Sequence, residues 1–334
     1  MKLRAFADAL LEVSKSITIK ASARGWAYLL EGEKLNGRTI TKADFDQVEG
    51  NVNKCRKAGL IPVDFVAEEE ARGFDGVETP DTDTPTEYMK GYLDAVLTCE
   101  NWYTPDWWDG EEYYIQMLVE KVDLKTLFSP ICQEYHIPIA TAKGWASIMQ
   151  RAIYARRFKE AEENGLKPLL LYCGDHDPDG LRISDFIRSN LEDLINIHWD
   201  NGTEGYDPAN LEIKRFGLDY EFIAKNNLTW IDNLITGSKK NLASPSHPNN
   251  KLPYVQEYIK RFGVRKCEAN AIMKKPKEAE ELCRGAIEGY LGEGVRARFW
   301  AKRDKVHQEL ERLREKTGLK EAVAEALEAI EVEE

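Results

Sequence analysis

Between about residues 112 and 216 the sequence alternates apolar runs with helical stretches, and this alternation restricts the folds that the chain can adopt. The apolar runs predicted as strands are 113–119, 137–140, 169–173 and 211–216. The stretches predicted as helices between them are 124–135, 145–163 and 181–197. The run at 169–173 is apolar at nearly every position, as in a strand that is buried on both faces. Repeated strand–helix units predict an α/β fold in which helices cover a parallel sheet.

The first 75 residues follow a different, mainly helical pattern. Apolar side chains recur at helical spacing in two stretches, around Leu10 and around Trp26. A third helix is expected from the capping residue Thr41 to Lys57, and an extended piece at 60–63 is expected to follow it. Three short helices and an extended wing predict a winged-helix-like module.

Residues 75–86 are rich in Pro, Thr and Asp, which predicts a linker. A helix that carries Tyr88 and Tyr92 is expected next. The aromatic residues between 102 and 108 are interpreted as core or as a seam between domains, with stacking on nucleic-acid bases as the alternative. Beyond residue 221 the chain is expected to be largely helical.

The charge of the chain bears on its partners. It carries 58 acidic and 46 basic residues, so that its formal net charge is −12. This balance argues against nucleic-acid binding, because phosphate contacts need Lys and Arg. The charges are segregated, however, since a basic stretch at 296–305 precedes an acidic tail at 321–334. That stretch, and a second one around Arg56 and Lys57, could contact phosphate, although solvated helix faces explain both equally well.

Other features of the sequence indicate a compartment. No apolar stretch approaches the ~20 residues that a membrane-spanning helix needs. The N-terminal residues lack the apolar core of a signal peptide. None of the 6 cysteines has the close spacing to another that a zinc site requires. These features predict a cytoplasmic protein without a membrane partner.

Four carboxylates lie where predicted strands end. Asp175, Asp177 and Asp179 follow a buried apolar run, and Glu120 ends another predicted strand. Parallel sheets form their sites at the carboxyl ends of strands, so that these acids are expected to converge. Acids this close repel one another unless a cation is present, and Mg²⁺ is bound by few carboxylates together with water and phosphate oxygens. The sequence therefore predicts a magnesium site at these strand ends. Glu120 either completes this site or acts as a general acid–base group.

Three other interpretations of the Asp cluster stay open. The pattern matches the start of an EF-hand calcium loop, but Phe186 stands where that loop requires a bidentate Glu. The acids could also favour a helix N-terminus through its dipole, which explains one Asp better than three. The remaining interpretation is surface acidity that arose by chance.

Three motifs resemble the Toprim domain of the topoisomerase VI A subunit and of the related meiotic double-strand-break protein. They are Glu120-Lys121, the Lys-Gly-Trp-Ala-Ser segment at 143–147, and Asp175-x-Asp177-Pro178-x-Gly180. Weaker similarity extends to residues 55–62, to residues 267–272 and to the pair Arg24-x-x-x-Tyr28. The chain is short and lacks a Gly-rich ATPase segment. It is therefore most similar to the compact stand-alone "mini-A" proteins of this family.

The resemblance implies Mg²⁺-dependent cleavage and rejoining of double-stranded DNA. It makes Tyr28 the nucleophile that forms a phosphotyrosine, and Arg24, one helical turn earlier, a group that could stabilise the phenolate or the phosphate. The implied metal site consists of Glu120, Asp175, Asp177 and Asp179. The implied DNA contacts are Arg56, Lys57, Lys143, Arg296 and Arg298. A homodimer is also implied, in which the tyrosine of one protomer works with the metal of the other, and a separately encoded ATPase subunit is a further potential partner.

The implied fold is a winged-helix-like domain followed by a Toprim domain, which is a Rossmann-like parallel sheet, and a helical extension. The expected boundaries are 1–75 for the first domain, 76–111 for a linker and helix, 112–220 for the Toprim domain and 221–334 for the extension with its acidic tail.

Ala27 precedes Tyr28 where the family often has a second aromatic residue, and a structural, half-buried Tyr28 is the alternative. Two other functions stay open: a Toprim nuclease that uses metal-activated water, and a non-catalytic DNA-binding relative.

Overall fold

The computed structural model describes residues 3–17, 20–35, 37–62, 65–67, 80–142, 147–199, 201–235 and 240–332. The chain divides into two compact units. The first comprises Met1–Glu70 and Glu111–Tyr290, and the second comprises Ala71–Gly110 and Leu291–Glu334. This division groups the N-terminal helices with the sheet. The four segments expected from the sequence place them in separate domains, and those domain boundaries stay a prediction.

The described residues in the N-terminal part of the first unit form three helices, as predicted. They are α1 (Leu3–Ser14), α2 (Ala23–Leu29) and α3 (Phe45–Lys57). A 3-10 turn at Lys42–Asp44 leads into α3. Asp44 accepts hydrogen bonds from the backbone and the hydroxyl of Thr41 at 2.9 and 3.0 Å. These bonds stabilise the start of the helix and confirm that it begins after Thr41.

The extended piece expected at 60–63 is not a strand in its described part. Residues 60–62, the described part of the expected piece, form a bend. Gly59 takes a positive φ of 65°, which ends α3 because few other residues adopt this conformation without strain. Extended backbone lies before α3 instead, where β1 (Lys34–Leu35) and β2 (Arg38–Thr39) form an antiparallel hairpin.

A sheet of 4 strands lies in the first unit. Its members are β3 (Tyr113–Val119), β4 (Ile139–Thr141), β5 (Lys167–Cys173) and β6 (Glu212–Arg215). All neighbours are parallel, and the order β4-β3-β5-β6 makes β3 and β5 central. Six of the seven residues in each of these two strands are buried, which their apolar sequences predicted. The predicted α/β class with a parallel sheet is confirmed.

Helices follow each strand of the sheet. They are α5 (Val122–Glu134), α6 (Ile148–Glu163), α7 (Ile183–Glu192), α8 (Tyr220–Lys225), α9 (Pro253–Phe262) and α10 (Pro276–Leu291). The helix predicted to run to residue 197 ends at Glu192. The chain beyond residue 221 is less helical than expected, because the described residues between α8 and α9 are irregular.

The second unit contains α4 (Pro85–Leu97), α11 (Val295–Lys316) and α12 (Leu319–Val332). α4 is the helix predicted to carry Tyr88 and Tyr92. Trp107 is buried and packs on Phe299 with 4.6 Å between ring centroids, so that the core interpretation holds for this member of the aromatic cluster. Trp102, by contrast, is 74% exposed.

Among the helices that the structure describes, none is both long and apolar enough to span a bilayer.

Candidate active site

Two strand ends bring Glu120 and Asp175 together. Val119 and Cys173 are partners in the last register of β3 and β5, and the Glu120 amide continues the ladder with a 2.9 Å bond to the Cys173 carbonyl. Glu120 Oε2 then accepts the backbone N–H of Asp175 at 2.7 Å. Two of the predicted carboxylates therefore lie at one edge of the sheet, as the strand pattern indicated.

Lys121 lies between these two carboxylates. Its ammonium is 2.8 Å from Glu120 Oε1 and 3.2 Å from Asp175 Oδ2. Burial disfavours this ammonium, but the charges of Asp175 and Glu120 outweigh burial and raise the pKa of Lys121. The lysine therefore stays charged and serves as an internal cation for the acidic pair.

The two acids differ in their protonation. Burial, with the charge of Glu120, raises the pKa of Asp175 to about 7. Burial also acts on Glu120, but the Lys121 ammonium and the Asp175 amide outweigh it and lower the pKa of Glu120. Asp175 is thus the member of the pair that takes up a proton near neutral pH when no other cation is bound.

Arg215, which ends β6, shapes the loop that carries the Asp cluster. Its guanidinium donates to the carbonyls of Gly174, Asp175 and Gly180 at 3.0, 2.9 and 3.3 Å. Gly180 is required by the close packing of this loop, since a Cβ there would lie 2.2 Å from the Asp175 carbonyl oxygen. The loop conformation therefore depends on a residue outside the predicted motif.

Asp177 and Asp179 have partners of their own. Asp177 is buried, and its Oδ1 accepts the Gly180 amide at 2.6 Å. Burial is the main cause that raises the pKa of Asp177, and the charges of Glu120 and Asp179 add to it. Asp179 accepts the Tyr254 hydroxyl at 3.0 Å. The interpretation of the acids as groups at a helix N-terminus therefore accounts for one oxygen of Asp177. It does not explain why Glu120 and Asp175 lie together.

Tyr28 projects from the buried side of α2. Only 1% of the residue is exposed, and its ring packs edge-on against Phe45 at 4.7 Å between centroids. Its hydroxyl donates a 2.6 Å hydrogen bond to Glu268 Oε2. Burial and the Glu268 charge raise the pKa of Tyr28 above its ordinary value, so that the phenol is protonated.

Arg24 has other partners than the one predicted from its spacing. Its guanidinium contacts Glu49 at 2.7 Å and Asp46 at 3.1 Å, and it lies over the Phe45 ring at 5.2 Å. Tyr28 contacts the same ring. Arg24 and Tyr28 therefore share one side of α2, where the positive charge partly offsets the rise in the pKa of Tyr28.

The start of α2 is held against the sheet region by buried polar contacts. Asp123, at the start of α5, accepts the Ser22 amide at 2.7 Å and the Asn270 side-chain amide at 2.9 Å. At Gly25 a Cβ would lie 2.9 Å from the same carboxylate, so that α2 approaches α5 closely. These contacts hold the start of α2 against α5.

Three lysines act on Glu268 through their charge, and we call them the basic cluster: Lys42, Lys121 and Lys266. Lys266 Nζ is 3.6 Å from Glu268 Oε1. Burial opposes ionisation of Glu268, but the bond from Tyr28 and the charges of the basic cluster outweigh it and lower the pKa of Glu268. Sequence reasoning assigned these residues no role, although Lys121 and Glu268 stand in the segments that carry the resemblance.

The predicted DNA contacts lie in both units. Arg56 and Lys57 belong to the last turn of α3 in the first unit. Arg296 and Arg298 belong to the start of α11 in the second unit, where Arg298 donates to the Leu291 carbonyl at 2.7 Å. Lys143 lies outside the described residues.

The donor set suits a hard divalent cation, because the groups that meet at the strand ends are carboxylate oxygens. Nowhere in the described ranges are three or more His, Cys, Asp or Glu side chains arranged as ligands of one ion. The positive charge between the carboxylates of Glu120 and Asp175 is the Lys121 ammonium. A bound Mg²⁺ would therefore require the Lys121 ammonium to leave at least one of the two carboxylates.

No protein-family model, no curated protein and no solved structure matches this chain.

Proposed function

We propose that this protein cleaves and rejoins DNA in a Mg²⁺-dependent reaction, as a relative of the A subunit of type IIB topoisomerases, with Tyr28 as the nucleophile. The hydrogen bond from Tyr28 to Glu268 carries this proposal. In this bond the phenol proton already points at the Glu268 carboxylate. The backbone amide of the residue after Glu268, Ala269, donates a hydrogen bond to Asp175. A nucleophile and an acidic centre are the parts that phosphodiester transfer to tyrosine needs.

In this proposal the sheet is a Toprim domain and the three N-terminal helices with their hairpin are its winged-helix-like partner. The strand order and the parallel register support the first assignment, because the paired acids follow the two central strands. The helix that carries the tyrosine, followed by a hairpin and a further helix, supports the second.

The residues around Tyr28 suit a phosphodiester substrate. The Tyr28 oxygen attacks phosphorus, and the resulting phosphotyrosine conserves the bond energy for rejoining. The basic cluster acts on Glu268 through its positive charge, which would also attract a negative phosphate. Glu120, Asp175 and Asp177 would hold the metal, and a bound Mg²⁺ would orient the DNA backbone and neutralise developing charge.

We further propose a homodimer that cuts one strand at each of its two sites, and whose ATPase partner, if it needs one, is encoded separately. The resemblance pairs the tyrosine of one protomer with the metal of the other. Tyr28 is linked to Asp175 of its own chain through Glu268 and Ala269, and we propose that each tyrosine serves the acidic pair of its own chain.

One observation favours a second candidate, a Toprim nuclease that hydrolyses DNA with metal-activated water. Tyr28 is only 1% exposed, as a structural tyrosine would be. In that case the acidic pair alone would carry the chemistry. DNA binding without cleavage is the remaining alternative.

A denaturing gel of the protein mixed with end-labelled duplex DNA and Mg²⁺ separates the candidates. We expect a slow, protease-sensitive band, because the label is bound covalently to protein. Free shortened fragments without that band would favour the nuclease, and intact DNA would remove catalysis from the proposal. The Asp175→Ala/Asp177→Ala variant is the control that keeps Tyr28.

A further inference from the structure

Glu268 lies between the tyrosine and the acidic pair. Its Oε2 accepts the Tyr28 hydroxyl at 2.6 Å. The amide of the following residue, Ala269, donates to Asp175 Oδ1 at 2.6 Å. One step along the backbone therefore links the contact to the nucleophile with the contact to the acidic centre.

The direction of the bond matters for the chemistry. A phenol has a single proton, and in Tyr28 that proton points at Glu268 because an ionised carboxylate can only accept. The lone pairs of the Tyr28 oxygen are not used in this bond. They remain available to an electrophile.

Of the other charged groups that act on the hydroxyl, Asp175 is a carboxylate, but its oxygens contact the Ala269 amide and Lys121. Lys42, Lys266 and Arg24 are cations that act on Tyr28 or on Glu268 through their charge. Arg24 is also paired with Glu49 and Asp46. Glu268 is thus the carboxylate that is in contact with the nucleophilic oxygen.

We infer that Glu268 is a catalytic residue that accepts the proton of Tyr28 when the tyrosine attacks DNA, an inference that rests on the function proposed above. In this step the Tyr28 oxygen–phosphorus bond forms and the bond from phosphorus to a deoxyribose oxygen breaks. The departing oxygen takes a proton from a water molecule. Glu268 receives the phenol proton and passes it to the hydroxide that remains. Rejoining runs through the same transfers in reverse.

The lysines of the basic cluster act on both Glu268 and the substrate. Lys42, Lys121 and Lys266 favour the ionised form of Glu268 before DNA arrives, and their positive charges would attract the incoming phosphate. The side chain of Glu268 is 25% exposed and that of Lys266 is 11% exposed, whereas the ring of Tyr28 is enclosed. The phosphate therefore reaches the hydroxyl from the Glu268 side.

The test compares Glu268→Gln, Glu268→Asp and Glu212→Gln at saturating DNA. Glu212 accepts the hydroxyl of Tyr290 at the same 2.6 Å, but on the surface, so that Glu212→Gln is a matched control. We expect Glu268→Gln to slow covalent adduct formation by about 100-fold or more, which is the usual share of a general base, while Glu212→Gln changes nothing. Glu268→Asp, which keeps the carboxylate, should recover part of the rate. DNA affinity and melting temperature are measured on each variant, because a purely structural role would change these and not the rate at saturation.

Two outcomes would count against the proposals in different ways. An adduct that forms in Glu268→Gln as fast as in wild type, or faster, would mean that the carboxylate only occupies the phosphate position, and would overturn this inference alone. Wild-type protein without any adduct would overturn the proposed function and this inference together.

Discussion

The hydroxyl of Tyr28 donates a 2.6 Å hydrogen bond to Glu268, a residue 240 positions further along the chain. This bond joins the N-terminal helices to the segment that also holds Asp175. The predicted nucleophile and the predicted acidic centre, which the sequence places in separate segments, are therefore linked through two consecutive residues, Glu268 and Ala269. The bond also has a measurable energetic consequence.

We expect Tyr28→Phe to lower the free energy of unfolding by about 1–3 kcal/mol, because Glu268 loses a charge-assisted hydrogen bond in a mostly buried place. Tyr290→Phe is the matched control, since it removes a bond of the same 2.6 Å length to Glu212 on the surface. That variant should lose about 0.5 kcal/mol or less. Urea denaturation measures both, and equal losses would mean that the Tyr28 bond is as weak as a surface contact.

The internal cation predicts a response to Mg²⁺. Lys121 occupies the position between Glu120 and Asp175, so that Mg²⁺ has to compete with its charge. At an effective dielectric constant of ~20, two unit charges ~4 Å apart interact by about 4 kcal/mol, and a third of that is a tenfold change in affinity. We therefore expect Lys121→Gln to bind Mg²⁺ at least about tenfold more tightly than wild type in isothermal titration.

Two further variants control this measurement. Lys266→Gln removes a lysine that contacts Glu268 instead of the acidic pair, and it should have a smaller effect on Mg²⁺ affinity. Asp175→Ala/Asp177→Ala should abolish the heat of Mg²⁺ binding. Weaker binding by Lys121→Gln would show that the lysine assists the metal and does not compete with it.

The protonation of Asp175 predicts how stability depends on pH. Burial and the Glu120 charge raise its pKa from the ordinary 3.8 to about 7, so that the folded protein holds this proton more tightly than the unfolded chain does. The stability contributed by the proton is fully present below pH 3.8 and is lost as the pH rises through about 7. Asp175→Asn has no such proton. We compare the unfolding free energies of wild type and Asp175→Asn without Mg²⁺. As the pH rises through this window, we expect the value for wild type minus the value for Asp175→Asn to fall by on the order of a few kcal/mol. A flat or rising difference would contradict the raised pKa of Asp175.

The arrangement of the site within one chain can be tested with mixed dimers. Tyr28→Phe lacks the proposed nucleophile, and Asp175→Ala/Asp177→Ala lacks two acids of the proposed metal site. If each tyrosine serves its own chain, a mixture of the two variants contains no complete site and we expect no covalent adduct. An adduct on the acidic variant in the mixture would show that the tyrosine serves the partner chain. Two different affinity tags confirm that mixed dimers have formed, and wild type mixed with Tyr28→Phe is the positive control.

Much of the sheet was predictable from local sequence. The apolar runs at 113–119 and 169–173 match β3 and β5 closely, because strands buried on both faces have little choice of residue. The meeting of Glu120 and Asp175 followed from the parallel order of these strands. The hairpin before α3 was not predicted, because each of its strands has only two residues and leaves no periodic signal.

The remaining parts of the site depend on contacts that no local pattern records. Lys121 is next to Glu120 in sequence, but its bond to Asp175 spans 54 positions. Asp123 holds Ser22 across 101 positions, and Arg215 reaches back 40 positions to the Asp175 carbonyl. Arg24 shows the converse case, since its spacing from Tyr28 was read correctly but Glu49 and Asp46 attract its charge. Spacing along a helix determines which residues share a face, whereas partners are determined by the elements that pack against that face.

The most direct test of the central claim is to identify the residue that becomes bound to DNA. Wild-type protein is incubated with duplex DNA and Mg²⁺, the DNA is digested with nuclease, and the protein is cleaved and analysed by mass spectrometry. We expect the peptide that contains Tyr28 to carry the mass of a nucleotide, and Tyr28→Phe to give neither this peptide nor a covalent adduct, while it binds DNA as wild type does. Cleavage of DNA by Tyr28→Phe at the wild-type rate, or a nucleotide on another residue, would contradict the assignment of Tyr28 as the nucleophile.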